Sequence, residues 1–166
     1  MSFVPAVIAL GSNLGDRHAT LTSAVTELDA HPQIRVTAIS SAYESAAVKL
    51  TGVDPTAPEY LNAVALIETE LSPMELLEAL MQIERNHGRE RTERWGDRTL
   101  DLDIIDYNSE VVDTDELTIP HPQALLRSFV LAPWAQVDPR ATLSGLSVVD
   151  MASRLSDEIR PVGALR

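Results

Sequence analysis

A chain of 166 residues, 45% apolar and 23% charged, is long enough for one domain with its own core and has a folded rather than a disordered balance. Its net charge of −12 argues against a general nucleic-acid or anionic-membrane binder, so an anionic ligand would need a local basic site. It has no cysteine, which excludes disulfides and thiolate metal sites, and no apolar run long enough to span a membrane. The expectation is a single domain over 1–166, monomeric and cytoplasmic.

In chain order, Val4–Leu10 reads as a buried strand rather than a signal peptide, because no basic segment precedes it. Gly11 and Gly15 are read as bracketing a turn. A helix is predicted from about Asp16 to His31, with Leu21, Ala24, Val25 and Leu28 on one face and Pro32 at its end. Ile34–Ser45 reads as a second strand. Residues 46–58, with a glycine and two prolines, read as a long loop. Tyr60–Leu71 reads as a third strand, with Tyr60 and Asn62 on one face and Leu61, Ala63, Ala65 and Ile67 on the other.

Ser72-Pro73-Met74-Glu75 has the form of a capping box with proline at the first helical position. The helix after it is predicted to turn Leu76, Leu77, Leu80, Met81 and Ile83 inward and to stop at Gly88. A loop over 88–99 leads to a fourth strand, Leu100–Tyr107. Asn108-Ser109 marks a turn into a short strand near 110–113, and "LTIPHP" reads as extended. Short helices are predicted over Phe129–Val137 and Val148–Leu155. The order strand–helix–strand–strand–helix–strand gives an α+β fold: a ferredoxin-like βαββαβ core, mainly antiparallel, with helices on one face and a C-terminal extension.

The chemistry concentrates in "RWGDRTLDLDIIDYN", residues 94–108. Strand alternation puts Asp101 and Asp103 on one side, with Cα atoms roughly 6.6–7 Å apart, and Leu100, Leu102 and Ile104 on the other. Paired carboxylates of this kind suit Mg²⁺, which takes one or two carboxylates and completes its shell with water and phosphate. Asp106 has the opposite parity unless a bulge intervenes. An isolated Asp-x-Asp is more often just a wet strand face. What tips the balance is the preceding run of Arg85, Arg89, Arg91, Arg94 and Arg98, because arginine binds phosphate oxygens bidentately. Glu84, Glu90, Glu93 and Asp97 are interleaved with it, so a salt-bridged loop is the plainer alternative. Tyr60 beside Asn62 suits a flat heterocycle, although each is unremarkable alone. His121 lies between two prolines, and Phe129 and Trp134 are expected in the core. "GSNLGDR" is neither a P-loop nor a dinucleotide fingerprint.

Taken together, "ALGSNLGDR", "YLNAVALIET", "GRERTERWGDRTLDLDI" and "IPHPQALLRSFVLAPW" closely resemble the hydroxymethyldihydropterin pyrophosphokinases of folate biosynthesis, from about residue 4 to residue 140. The resemblance implies transfer of the β,γ-pyrophosphoryl group of ATP to the hydroxymethyl group of 6-hydroxymethyl-7,8-dihydropterin, releasing AMP, with two Mg²⁺ ions. It implies that Asp101 and Asp103 hold the metal and that Arg89 and Arg98 contact the transferred phosphates. It puts His121 at the phosphates, Glu84 and Thr118 near the nucleotide, and Ile104 and Leu117 around adenine. Tyr60 and Phe129 would sandwich the pterin, with Asn62 and Ser45 at its edge, Arg127 beside it and Trp95 closing over it. The chain departs from the commoner family pattern at Asp97, where proline is usual, and at Ser45-Ala46, where threonine-proline is usual. Thr92 also stands where a basic residue is often found. The alternatives weighed are another Mg-dependent phosphotransferase or phosphohydrolase, and a non-catalytic ferredoxin-like module.

Overall fold

The computed structural model describes residues 2–13, 16–45, 48–49, 52–53, 60–87, 100–122, 124, 127–155 and 159–165. The elements run β1 (Val4–Ser12), α1 (Arg17–Ala30), β2 (Ile34–Ile39), β3 (Ser41–Ser45), β4 (Val48–Lys49), β5 (Gly52–Val53), β6 (Tyr60–Thr69), α2 (Pro73–Asn86) and β7 (Asp101–Tyr107). The remainder adds β8 (Val112–Asp113), β9 (Thr118–Ile119), α3 (Ser128–Val137), β10 (Thr142–Leu143), β11 (Leu146–Ser147), α4 (Val148–Arg154) and β12 (Ile159–Ala164). The main sheet has the order β12-β3-β6-β1-β7, with β2 also on β6. Every pairing among the described residues is antiparallel. This is the βαββαβ arrangement expected from the order of elements.

Two apolar layers enclose the sheet. On the first face, Ile8 and Leu10 of β1, Leu61, Ala63, Ala65 and Ile67 of β6 and Leu102 and Ile104 of β7 pack with α1 and α2. Helix α1 contributes Leu21, Ala24, Val25 and Leu28, the predicted stripe, and Asp16 caps it by accepting from the Ala19 amide at 3.1 Å. Helix α2 begins with the expected capping box: Ser72 and Glu75 exchange side-chain-to-backbone bonds of 3.2 and 2.9 Å. On the second face, Val7, Val64 and Ile105 pack with Val130, Leu131 and Trp134 of α3 and Val148 of α4. The two core helices therefore share one face as expected, and the C-terminal extension covers part of the other.

Several expectations need correction. Gly11 does not open a turn; it lies in β1, paired with Asn62 and Asp101, while Gly15 falls outside the described residues. The second strand is two strands, because Ser40 interrupts it: its amide donates to the Val64 carbonyl and its hydroxyl accepts from the Val64 amide, both at 2.9 Å. Met81 points outward, 42% exposed, and Glu84 takes a buried place on the helix stripe instead. Within 46–58, β4 and β5 form a short hairpin. β12, on the sheet edge, and the β10–β11 hairpin had no counterpart among the predicted elements. Among the described residues no helix is long and apolar enough to cross a membrane.

Candidate active site

Asp101 and Asp103 both stand on the second face of β7, half-buried, while Leu100, Leu102 and Ile104 are buried on the first. Register carries this face across the sheet. Gly11 sits opposite Asp101 on one side and Asn62 on the other, and Ala9 sits between Asp103 and Val64. Directly paired residues share a face, so Asn62 and Tyr60, two residues before it, look out on the same side as the aspartates. Gly11 allows Asn62 and Tyr60 to approach the strand closely: a Cβ there would stand 3.3 Å from Asn62 Oδ1 and 3.5 Å from Tyr60 Cδ1. Asn62 is 5% exposed, and its Nδ2 makes two long bonds of 3.4 Å to the carbonyls of Tyr43 and Tyr60.

A bulge does reach Asp106. The β1–β7 register shifts between Val7 and Ile8, so Ile105 is the extra residue and Asp106 pairs with Val7, which belongs to the second-face cluster. Asp106 does not join the other two aspartates in a metal cluster. No group of three or more His, Cys, Asp or Glu able to hold a metal occurs among the described residues. Burial pushes the Asp106 carboxyl above its ordinary range, partly offset by the Ser109 and Tyr107 amides from which it accepts.

The free edge of β7 is covered by the segment after β9. There the His121 amide donates to the Ile105 carbonyl at 3.0 Å, which brings the half-buried imidazole beside β7. Burial holds His121 below its ordinary pKa and nearby Arg127 adds to this, whereas Asp101 opposes it, so the three groups feel one another. Arg127 occupies the N-cap of α3, and its guanidinium lies 5.4 Å from the centroid of the Phe129 ring. Phe129 is half-buried against the second-face cluster, and Trp134 is fully within it, as expected.

The other predicted residues are distributed differently. Glu84, 4% exposed, lies under the edge of β7, and its Oε2 accepts the Leu102 amide at 2.8 Å. Ile104 and Leu117 are buried in the first-face core, and the Leu117 amide and carbonyl are both bonded to Thr114, so neither side chain opens toward the aspartates. Thr118 is exposed on β9. Ser45 pairs with Tyr60 through its backbone, and its side chain is outside the description. Arg89, Trp95 and Arg98 fall in 88–99, outside the described residues. Sequence reasoning missed Gly11 as part of the site. The only available signal was a glycine directly after the apolar run of β1, and its meaning depends on which strands flank it.

The fold is α+β, and the comparisons with known proteins place it among the pyrophosphokinases, enzymes of phosphate transfer. The profile of the family described as 7,8-dihydro-6-hydroxymethylpterin-pyrophosphokinase (HPPK) matches residues 7–139, and the chain belongs to that family. A 2-amino-4-hydroxy-6-hydroxymethyldihydropteridine pyrophosphokinase of Bacillus subtilis is 48% identical over 132 residues, 80% of this chain and 77% of that protein. A protein of the same name from Haemophilus influenzae is 40% identical over 146 residues, 88% of this chain and 89% of its own length. Among solved structures, wild-type Plasmodium falciparum HPPK-DHPS with pteroate matches with a TM-score of 0.70 at 13% identity. That match covers 92% of this chain and 42% of the longer one, and it speaks for the fold alone.

Proposed function

We propose that this chain transfers the β,γ-pyrophosphoryl group of ATP to the hydroxymethyl oxygen of 6-hydroxymethyl-7,8-dihydropterin, giving the pterin diphosphate and AMP in folate biosynthesis. Family membership and the named relatives support the activity. The observation that carries the assignment of residues is the row Asn62–Gly11–Asp101. It sets Asn62 and Asp101 on either side of Gly11 on one sheet face, which supports a pterin edge bound beside the paired carboxylates.

Asp101 and Asp103 would hold two Mg²⁺ ions. Two hard oxygen donors on one half-exposed face, with no third protein ligand alongside among the described residues, fit an ion that fills its shell from water and substrate phosphate. When bound, the metal would supply charge neutralisation at the phosphate oxygens. Tyr60 and Phe129 stack on the pterin and Asn62 hydrogen-bonds its edge, together with Ser45, Trp95 and Arg127. Half-buried His121, whose pKa burial lowers, donates one ring N–H to phosphate. Arg89 and Arg98 bring positive charge from 88–99, which an enzyme of net charge −12 needs locally to accept ATP. Ile104, Leu117 and Thr118 flank the nucleotide, the first two through the edge of the core. A monomer in the cytoplasm is part of this reading.

One assay tests it: purified protein, Mg²⁺, ATP and the hydroxymethyl pterin, with AMP release followed against a control lacking pterin. AMP and pterin diphosphate in equal amounts support the reading; ADP or free phosphate would refute it. Asp103→Ala abolishes turnover and leaves the fold intact, because the side chain is not part of either core. Full activity of that variant at saturating Mg²⁺ would remove the metal role.

A further inference from the structure

Glu84 is a carboxylate where a helix would ordinarily place an apolar residue. It continues the buried stripe Leu76–Leu80–Ile83 of α2 and is as inaccessible as its neighbours, at 4% exposure. A buried carboxylate is costly unless its oxygens are bonded. One of those oxygens, Oε2, accepts the amide of Leu102 at 2.8 Å. Leu102 lies between Asp101 and Asp103, on a strand that has a sheet neighbour on one side only. Its amide is a donor that the sheet does not use, and a helix side chain meets it.

The helix turn that presents Glu84 is itself fixed. Two residues on, the side-chain amide of Asn86 donates to Glu27 Oε1 at 3.1 Å. One residue further, His87 Nε2 meets Glu27 Oε2, so the end of α2 is tied to α1. The carboxylate thus has a braced base at one end and the midpoint of the aspartate pair at the other.

We propose that Glu84 is a positioning residue for the metal pair. By holding the Leu102 amide it sets the height and direction of β7 between Asp101 and Asp103, so that both carboxylates meet divalent cations without rearrangement. This rests on the metal-holding role given above to the two aspartates. Groups that orient ligands in this way typically carry about 10–100-fold in metal affinity when removed, and action through the backbone places Glu84 near the lower end.

The test compares Glu84→Gln, which keeps an acceptor oxygen, with Glu84→Met, which fills the space without one. Met suits a buried site, so loss of fold does not confuse the comparison; circular dichroism checks this directly. Three readouts are taken: hydrogen exchange at the Leu102 amide, Mn²⁺ and Mg²⁺ binding by calorimetry with a non-hydrolysable ATP analogue present, and the Mg²⁺ dependence of the rate. In Glu84→Met, exchange at Leu102 speeds up by about 10-fold or more, and metal affinity falls about 10-fold. Glu84→Gln restores both to within about threefold of wild type, because the acceptor persists. Unchanged Leu102 exchange and metal affinity in Glu84→Met would overturn the proposal. So would a defect confined to the KM for ATP, which would make Glu84 a nucleotide contact instead. If Asp103→Ala binds metal as wild type does, the underlying metal reading fails, and exchange at Leu102 still judges the brace by itself.

Discussion

Replacing Gly11 by alanine tests the close approach of Asn62 and Tyr60 to β1 at the candidate site. The added Cβ would lie 3.3 Å from Asn62 Oδ1, 3.5 Å from Tyr60 Cδ1 and 4.0 Å from the Leu61 carbonyl oxygen. The first distance is tighter than an ordinary contact, so Asn62 must yield by a few tenths of an ångström. Two effects set stability. Alanine in a strand-compatible conformation gains about 0.4–1 kcal/mol by restricting the unfolded chain. Against this, Asn62 must shift, and its 3.4 Å bonds to the Tyr43 and Tyr60 carbonyls are disturbed, which costs about the same. Net stability stays within about 1 kcal/mol of wild type, roughly 2–4 °C in Tm. Catalysis is more sensitive: a misplacement of about 1 Å can cost about 100-fold, so a few tenths alone cost several-fold, and the methyl group also occupies ligand space. The expected result is a fall of roughly 5–50-fold in kcat/KM for the pterin, with ATP binding close to normal. The assay is steady-state AMP release with each substrate varied, alongside thermal unfolding. Normal kcat/KM for the pterin would refute the placement of the heterocycle over Gly11. A large drop in Tm would show instead that the glycine serves packing.

Two further substitutions test the energetics away from the catalytic groups. The Ser12 hydroxyl is fully buried with no hydrogen-bond partner among the described residues, so Ser12→Ala removes an unmet polar group and raises stability by up to about 1–2 kcal/mol in denaturant titration; a loss of similar size would reveal a bonded water or other partner. Asp106 is held above its ordinary pKa by burial, so its ionised form is penalised in the folded state and wild-type stability falls as pH rises through that range. Asp106→Asn therefore raises Tm at pH 7, and the advantage fades as pH drops below the ordinary carboxylate pKa, where folded and unfolded chains are both protonated. An advantage that instead grew on acidification would contradict the sign.

What could be read in the sequence was whatever local pattern determines. The stripe of α1 follows from spacing at Leu21, Ala24, Val25 and Leu28, and the start of α2 follows from four consecutive residues, Ser72 to Glu75. The shared face of Asp101 and Asp103 follows from alternation over three residues. The misses depend on distant pairing. The strand β12 contains Pro161 and Gly163, which argue against a strand, and it exists because β3 offers it an edge over a hundred residues away. The bulge at Ile105 is set by how β7 meets β1, and it moved Asp106 to the face that alternation denied it. Met81 was misread because the buried stripe runs through Leu76, Leu80, Ile83 and Glu84, and the residue after Leu80 turns to the solvent side of it; an acid on that stripe was the legible sign of a special contact.

The location of the site on the sheet follows from how the second face is divided. On β1 the side chains facing that way shrink from Val7 to Ala9 to Gly11, on β6 they pass from Leu66 and Val64 to Asn62 and Tyr60, and on β7 from Ile105 to Asp103 and Asp101. Three adjacent strands change from apolar to polar or empty at the same level. The apolar end is where α3 and α4 cover the sheet; a helix over the other end would bury two carboxylates and an amide and would have no side chain at Gly11 to pack on. The C-terminal extension thus serves both halves of the face. It completes the second core, and Arg127 at the N-cap of α3, 5.4 Å from the Phe129 ring, stands where the proposed pterin contacts begin.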